Sequence, residues 1–341
     1  MNVIDIRNLT KDYGKGRGVF DLSMHVEKGI CYGFLGPNGA GKTTTIRHLM
    51  GFLKPQSGEV QIWGMDCRKQ AAELKAMVGY LPGEIAFPEM MTGKRFLADM
   101  RRLRKMEKIP RRPGSPAPKG KESGEPGQAG SAGTDTDYCS RLITLFALDT
   151  SRKIHDMSIG DKRKLAVVTA FMHDPEVLIL DEPTSGLDPV MQEVFIEFIR
   201  SEKKRGKTIL LSSHIFHEVD AVCDRIAIIK DGRIAADCSA EELKAQKHWI
   251  YRLSFETERD YYRFIEKDFL FTNKDPKRLT VRLMVDMVEL NQLIPVLSEL
   301  NVMDINEIPY TLEDHFMRFY REEEDFRREA DSDMGVPGGV V

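Results

Sequence analysis

The sequence predicts an α/β fold built around a phosphate-binding loop and followed by a smaller α+β domain. A glycine-rich segment, residues 36–44, lies between a short apolar run and a helical pattern. A second apolar run, residues 177–180, ends in two acids, as strands buried on both faces of a parallel sheet do. Nearer the C-terminus, residues 249–255 and 279–285 alternate with the period of a strand, and each is followed by a helical pattern.

The composition is typical of a globular protein with no general affinity for polyanions. The 341 residues are enough for two domains, with 41% hydrophobic and 30% charged side chains. The net charge of −3 provides no overall attraction for nucleic acid, although it leaves a local basic patch open.

Cysteine usage and the apolar runs limit where the chain can act. The cysteines are scattered without metal-ligand spacing, which favours reduced, buried thiols: Cys31, Cys67, Cys139, Cys223 and Cys238. The first six residues alternate as a strand and lack the apolar core of a signal peptide. No apolar run reaches the roughly eighteen residues of a membrane span, so we expect any membrane role to require a partner.

The first half of the chain alternates strand and helix patterns around the loop. Two strand patterns precede it and are separated by a glycine-rich turn that begins with Tyr13, whose ring is a candidate for stacking on adenine. The predicted strands are 1–9, 20–26, 29–35, 58–63 and 78–82, and the predicted helices begin at 44 and cover 71–77 and 96–106.

The glycine-rich loop carries the chemistry. Residues 36–44 match the phosphate-loop pattern GxxxxGK(S/T) in the strand–loop–helix setting that this pattern requires. Lys42 is predicted to reach the β- and γ-phosphates, and the Thr43 hydroxyl to bind Mg²⁺. Three glycines would let the backbone approach an anion: Gly36, Gly39 and Gly41. The sequence therefore predicts that the protein binds a nucleoside triphosphate.

Composition changes abruptly in the middle of the chain. Residues 110–137 contain no Val, Ile, Leu, Met or aromatic side chain. Such a segment buries too little apolar surface to offset its ordering entropy, so we predict a flexible insertion at about residues 108–137. A docking or regulatory loop is the less favoured alternative.

Order is expected to return at Tyr138, and polar side chains end two of the strands that follow. Asp181 and Glu182 follow an apolar run, which would position them to hold Mg²⁺ and polarise water, and His214 ends the next strand. The predicted helices are 138–148, 163–172 and 190–204, and the predicted strands are 177–182, 208–214 and 225–230.

The C-terminal region is predicted to form a small separate domain. Helical patterns cover residues 260–267 and 288–300, and a further helix is expected to begin with a capping-box pattern at Thr311. We expect a nucleotide-binding domain over residues 1–240, an accessory α+β domain over 245–325, and a disordered tail over 326–341.

These motifs, in this order, resemble the nucleotide-binding subunit of ATP-binding cassette (ABC) transporters over about residues 1–235. The layout is similar to multidrug and antibiotic-export cassettes with a small C-terminal domain. The resemblance implies a mixed-sheet core with an antiparallel β subdomain and a helical subdomain, ATP and Mg²⁺ as cofactors, and ATP hydrolysis as the activity.

The resemblance also assigns roles to individual residues. It implies that Glu182 is the general base, that His214 contacts the γ-phosphate and that Lys42 neutralises phosphate charge. The implied Mg²⁺ ligands are Thr43, Asp181 and Glu84. The residues implied to contact ATP are Tyr13 and Val19 near adenine, Gly36, Pro37, Asn38, Gly39, Ala40, Gly41, Lys42, Thr43 and Thr44 in the loop, Ser158 and Gly160 in the signature segment, and Asp188 in the D-loop.

Two positions depart from the family pattern. The signature segment, usually Leu-Ser-Gly-Gly-Gln, keeps Ser158 and Gly160 but places Asp161 where a polyanion would bind, and Lys162 is expected to compensate its charge. After residues 80–82, where the family has a glutamine that touches Mg²⁺, this chain has Gly83 and Glu84, and Glu84 is the candidate substitute.

The resemblance implies a motor subunit that powers a separate membrane permease, and an exporter is the favoured type. One chain carries one cassette, so a second cassette, identical or similar, is required to complete two ATP sites at the inner face of the cell membrane. The alternatives are a cassette protein acting on ribosomes or DNA, and a non-hydrolysing regulatory cassette. The intact Glu182 and His214 argue against the second alternative.

Overall fold

The protein forms two compact units, residues Met1–Ala240 and Glu241–Val341. The computed structural model describes residues 1–106, 133–245 and 249–308. Most of the predicted insertion, the predicted helix at Thr311 and the predicted tail lie outside the described residues.

The first unit alternates strands and helices along the chain. In chain order its elements are β1 (Asn2–Gly14), β2 (Arg17–Glu27), β3 (Cys31–Leu35), α1 (Lys42–Leu49), β4 (Ser57–Ile62), β5 (Met65–Asp66), α2 (Ala71–Met77), β6 (Val78–Leu81), α3 (Gly93–Met106), α4 (Gly133–Leu145), a 3₁₀ turn (Ile154–Asp156), α5 (Ile159–Phe171), β7 (Val177–Asp181), α6 (Pro189–Lys204), β8 (Thr208–Ser213), α7 (Phe216–Val222), β9 (Arg225–Lys230) and β10 (Arg233–Ser239). Helix α8 (Ala240–Ala245) follows at the boundary between the units.

A six-stranded mixed sheet forms the centre of the first unit, in the order β10-β9-β3-β8-β7-β6. Strands β9, β3, β8, β7 and β6 are parallel, and only β10 pairs antiparallel, with β9. Every residue of β3, β7 and β8 is buried, which explains their continuous apolar runs. The parallel pairing brings the carboxyl ends of these five strands to one edge, and the mixed-sheet fold predicted from the sequence is confirmed.

An antiparallel sheet packs into the same core. Its order is β2-β1-β4-β5, and inward-facing side chains of β1 alternate with exposed ones. The apolar side chains of this sheet share one buried cluster with residues of β3, α1 and the central strands, including Ile4, Val26, Phe34 and Ile179.

Over residues 249–308, the second unit is a four-stranded antiparallel sheet with two helices. Its elements are β11 (Trp249–Phe255), α9 (Glu258–Ile265), β12 (Leu270–Asp275), β13 (Thr280–Val285), α10 (Met287–Ser298) and β14 (Val302–Ile308), with strand order β12-β13-β11-β14. One face of β11 and β13 packs on Tyr261 and Phe264 of α9 and Leu293 of α10. Asp286 begins α10 with a capping box that Glu289 completes.

Several elements differ from the sequence expectations. The strand patterns did not predict β5, β10, β12 or β14, and the helical patterns did not predict α7. Strands β12 and β14 lie at sheet edges, where polar residues such as Asn273 and Asn306 replace the apolar alternation. Helix α4 begins at Gly133, before Tyr138, because residues 133–137 lack the prolines that precede them.

Within the described ranges, no helix has both the length and the apolar character needed to cross a membrane.

Substitution of Ile179 tests how much the stability of the first unit depends on its central strands. Ile179 lies in β7 and is 0% exposed, whereas Ile159, at the start of α5, is 78% exposed. We expect Ile179→Ala to lower the free energy of unfolding by about 2–5 kcal/mol, because the side chain leaves a cavity between packed layers.

The measurement is urea unfolding in a Trp249→Phe background, where Trp63 is the remaining tryptophan and reports on the first unit. Ile159→Ala is the matched control and should change stability by less than about 0.5 kcal/mol. Equal losses in the two variants would contradict the central role of β7.

Candidate active site

The phosphate loop joins β3 to α1 at the carboxyl edge of the mixed sheet. Gly41 is the N-cap of α1 with φ 113°, a left-handed conformation that side chains disfavour. Gly36 is packed against the neighbouring strand, because a Cβ there would lie 2.4 Å from the Ile229 carbonyl oxygen. Its N–H donates to the Ser213 carbonyl at 3.3 Å, which ties the loop to the end of β8. Pro37, Asn38 and Gly39 form the exposed crest of the loop, whereas Ala40 is buried and Thr44 is half-buried.

The Lys42 ammonium group lies against main-chain carbonyls of the phosphate loop. The residue is 5% exposed, and its Nζ donates to the carbonyl oxygens of Gly36 at 2.6 Å and Pro37 at 3.2 Å. The same Nζ lies 3.1 Å from Glu182 Oε1. The predicted phosphate-binding cation and the predicted base are therefore in direct contact.

Glu182 connects Lys42 to His214. His214 Nδ1 lies 2.6 Å from Glu182 Oε2, and this imidazole is more exposed than the carboxylate, 45% against 18%. The Glu182 backbone has φ 48°, a left-handed value that is uncommon for a residue other than glycine. Its N–H donates to the Ser212 carbonyl at 3.1 Å, so the conformation is held from β8.

Asp181 meets the requirement for a metal ligand at the end of β7. It is 0% exposed, and its Oδ1 accepts a hydrogen bond from the Ser212 hydroxyl at 2.5 Å. Its Oδ2 is buried and has no hydrogen-bond partner among the described residues. A buried carboxylate oxygen with no donor is costly unless a cation satisfies it, so this site fits a divalent ion.

The rest of a metal site would come from hydroxyl, phosphate and water oxygens. Thr43 lies in the first turn of α1 and is half-buried. Among the residues that the structure describes, no group of three or more His, Cys, Asp and Glu side chains could hold a metal ion. This set matches Mg²⁺, which usually keeps several waters and takes one or two carboxylates plus substrate phosphates.

Gly83 and Glu84 follow β6 beside Asp181. A Cβ at Gly83 would lie 3.1 Å from Asp181 Oδ2, so the glycine leaves space beside this buried oxygen. Glu84 is exposed. Burial, reinforced by the Asp181 charge, raises the pKa of the nearby Tyr80 hydroxyl to about 12, which keeps it neutral.

The altered signature segment caps α5. The Ser158 hydroxyl accepts from the Asp161 N–H at 3.0 Å and donates to the Asp161 carboxylate at 2.9 Å. Arg152 lies 3.5 Å and Lys164 3.9 Å from that carboxylate. Lys162 instead lies 3.9 Å from Glu89.

The expectation that Lys162 compensates the charge of Asp161 is therefore wrong. Successive residues of a helix point in different directions, which takes Lys162 away from Asp161, whereas Lys164 lies three residues further along the same face. Gly160 is half-buried in the first turn, and Ile159 beside it is 78% exposed.

The remaining predicted contacts lie around this centre. Tyr13 is 52% exposed at the end of β1, with the Lys11 ammonium 5.6 Å from its ring centroid. Val19 is fully buried, and its Cγ1 would lie 2.8 Å from a Cβ at Gly41, so it packs on the loop. Asp188 is the N-cap of α6, where its side chain accepts from the Met191 N–H.

Three buried polar residues at this edge were missed by sequence reasoning. Arg163 donates to backbone carbonyls around the site, the Ser212 hydroxyl holds Asp181, and Glu218 accepts from the hydroxyls of Thr184 and Ser213. Burial is the largest influence on Glu218 and raises its pKa. The sequence signal was weak, because a single charged residue in an apolar helical pattern does not identify its partners.

Together these residues can hold a triphosphate and activate a water. Lys42 and the N-terminus of α1 supply positive charge, Asp181 offers a free oxygen for a divalent ion, and Glu182 is oriented by His214. This arrangement defines a phosphate-loop nucleoside triphosphatase.

Comparisons with known proteins identify the family within this class of nucleoside triphosphatases. The ABC transporter family matches residues 19–185. The Nod factor export ATP-binding protein I of Burkholderia orbicola is 34% identical over 237 residues, covering 69% of this chain and 70% of the relative. The bacitracin transport ATP-binding protein BcrA of Bacillus licheniformis is 31% identical over 257 residues, covering 74% and 75%.

A solved structure extends the agreement to the fold. The ATP-binding subunit of an ABC transporter superposes with a TM-score of 0.59 at 25% identity, covering 72% of this chain and 92% of that one. The chain belongs to the ABC transporter family, and it is an ATP-binding and ATP-hydrolysing subunit of that family.

Proposed function

We propose that this chain is the motor subunit of an exporter and hydrolyses ATP to drive a separate membrane permease. The observation that carries the proposal is the continuous contact from Lys42 through Glu182 to His214, with 3.1 Å and 2.6 Å between the charged or polar atoms. This contact supports the proposal, because it brings together the proposed phosphate-binding cation, the proposed base and the imidazole.

The chemistry follows from charge and position. Lys42 would neutralise charge on the β- and γ-phosphates. Glu182 would accept a proton from the attacking water, and His214 would help to align that water. Thr43 and Asp181 would hold Mg²⁺, with Glu84 as a further proposed ligand. The ion supplies charge neutralisation on the phosphate oxygens. Tyr13 and Val19 would contact adenine.

A second cassette is needed to complete the site. Ser158 and Gly160 at the start of α5 would face the γ-phosphate held by the loop of a partner cassette, and Asp188 would lie at the same junction. The N-terminus of a 13-residue helix favours such an anion. We infer a pair of like cassettes with two ATP molecules between them.

The direction of transport and the location are inferred from relatives. The similar proteins named above are an export ATP-binding protein and a bacitracin transport ATP-binding protein. We propose that this cassette also serves export, at the inner face of the cell membrane and attached through its permease. Nucleic acid is not expected as a partner, given the net charge of −3.

Glu182→Gln tests the base. We expect steady-state ATP turnover by the purified chain to fall on the order of 10²–10⁴-fold, because the amide cannot accept the proton. ATP binding should persist, and size-exclusion chromatography with light scattering should reveal ATP-dependent dimers of the variant.

Glu197→Gln is the matched control, since the Glu197 side chain is 66% exposed on α6 and pairs with Arg200. It should leave turnover unchanged. Turnover near the wild-type rate in Glu182→Gln would remove Glu182 from the base role. Turnover without dimers at any ATP concentration would contradict pairing of this chain with itself.

The magnesium ligands are tested by the Mg²⁺ concentration that gives half-maximal turnover. Asp181→Asn should raise this concentration on the order of tenfold or more, because an amide oxygen is a weaker ligand than the buried carboxylate. Glu84→Gln should produce a smaller rise, since Glu84 is exposed. An unchanged Mg²⁺ requirement would exclude the corresponding residue as a ligand.

Asp161 tests the altered signature. Arg152→Gln in the Glu182→Gln background should weaken ATP-driven dimerisation about two- to fivefold, because it leaves the Asp161 charge less compensated near the partner's phosphate. Adding Asp161→Asn should restore dimerisation.

The control is Arg102→Gln on α3, an 80% exposed arginine that lies 3.8 Å from Asp99. It should leave dimerisation unchanged. In the Glu182→Gln background, the variant with Arg152→Gln alone is compared with the variant that carries both Arg152→Gln and Asp161→Asn. If the two dimerise equally, the Asp161 charge does not act on the nucleotide.

A further inference from the structure

Arg163 is a buried cation whose partners are all main-chain groups. It lies in the first turns of α5 and is 2% exposed. Its Nε donates to the Ser185 carbonyl at 2.7 Å and its Nη1 to the Pro82 carbonyl at 2.7 Å. Its Nη2 donates to the carbonyls of Gly83 and Glu182, both at 3.0 Å. One guanidinium thus binds four carbonyl oxygens.

These carbonyls belong to two loops that the site requires, one after β6 and one between β7 and α6. Pro82 and Gly83 follow β6 beside the free Asp181 oxygen. Glu182 follows β7, and Ser185 lies in the segment that leads to Asp188 and α6. Without Arg163, the chain offers no other described side-chain donor to these four oxygens. The guanidinium therefore joins the two loops to the helix that begins after Ser158.

The Glu182 backbone is the segment most in need of support. A φ of 48° is strained for a residue with a side chain and persists only where neighbours hold it. The Glu182 N–H is bound to the Ser212 carbonyl, and the Glu182 carbonyl is bound to Arg163. The Glu182 carbonyl also accepts from the Ser185 N–H at 3.1 Å, so three bonds fix both peptide groups of the candidate base.

The charge of Arg163 is compatible with this buried location. Burial lowers its pKa, whereas the carboxylates of Asp181 and Glu182 act in the opposite direction. An arginine stays protonated under all ordinary conditions, so the guanidinium keeps its five donors. The guanidinium also lies close enough to the Asp181 and Glu182 carboxylates for their negative charges to stabilise its positive charge.

We propose that Arg163 is a positioning residue that holds the Glu182 main chain and couples it to the segments at Gly83 and Ser185. The inference rests on the proposed function, because it assumes that Glu182 is the base. A change at residues 82–83 would then alter the base and the signature helix together. This coupling uses main-chain carbonyls, at a place where the resemblance implies that a glutamine side chain would act.

The fork of the guanidinium makes the proposal testable by a conservative change. Arg163→Lys keeps the charge, but a single ammonium cannot reach four carbonyls that lie on two loops. We expect kcat for ATP hydrolysis to fall on the order of tenfold to a hundredfold, with KM and the affinity for an ATP analogue within about twofold of wild type.

Lys207→Arg is the matched control. Lys207 is also a buried cation, 5% exposed, and it binds the Pro175 carbonyl and the carboxylates of Asp174 and Glu202 just before β8. It lies at the opposite end of β8 from His214. Its variant should leave kcat unchanged whatever it does to the thermal midpoint, because no candidate site residue contacts it.

A double variant separates positioning from general stability. In single-turnover assays, Arg163→Lys should add little to the loss that Glu182→Gln already causes, because the two act through one group. Multiplicative losses would overturn the proposal. A wild-type kcat in Arg163→Lys would also overturn it.

The proposed function and the inference fail in different ways. If Glu182→Gln turns over ATP at the wild-type rate, the assignment of Glu182 as the base is wrong, whatever the result for the Arg163 variants. If Arg163→Lys does not fold, Arg163→Gln offers a planar donor head for the same measurement. Failure of both variants to fold would assign Arg163 a structural role and overturn the positioning role.

Discussion

The hydrogen bonds that the residues just after β7 and β3 make to the last residues of β8 determine where the chemistry can occur. The Glu182 N–H binds the Ser212 carbonyl, and the Gly36 N–H binds the Ser213 carbonyl. Strand β8 thus holds the phosphate loop on one side and the acidic pair on the other. Parallel pairing of β3, β8 and β7 is what makes this possible, because all three strands end at one edge. The contact between Lys42 and Glu182 is a consequence of that pairing.

Local charge, rather than net charge, defines the site. The chain as a whole carries −3, yet Lys42 is buried against loop carbonyls beside Glu182. A short charge pair in a partly buried setting is weakly screened, so its geometry is sensitive to any third charge that enters. A triphosphate is such a charge. A triphosphate at the loop would thus meet a local positive charge, although the net charge of the chain provides no general attraction for an anion.

The sequence predicted the fold well where the signal was local. The phosphate loop was recognisable from its spacing, and the central strands from apolar runs that are buried on both faces, such as β7. Edge strands β12 and β14 were missed because they are half-polar and are defined by their partners. The compensation of Asp161 was predicted wrongly for a related reason. Arg152 precedes the helix, and its approach to Asp161 depends on the turn between them.

Arg163 illustrates a limit that no pattern of side chains could overcome. Its partners are carbonyl oxygens, and every residue type has one, so nothing in the sequence of residues 82, 83, 182 and 185 marks them as its ligands. The same property would make the coupling tolerant of substitution in the loop after β6. Gly83 is constrained separately, because a Cβ there would crowd the free oxygen of Asp181. A loop that lacks the glutamine of the family pattern would thus keep a connection to the proposed base through the main chain and one buried guanidinium.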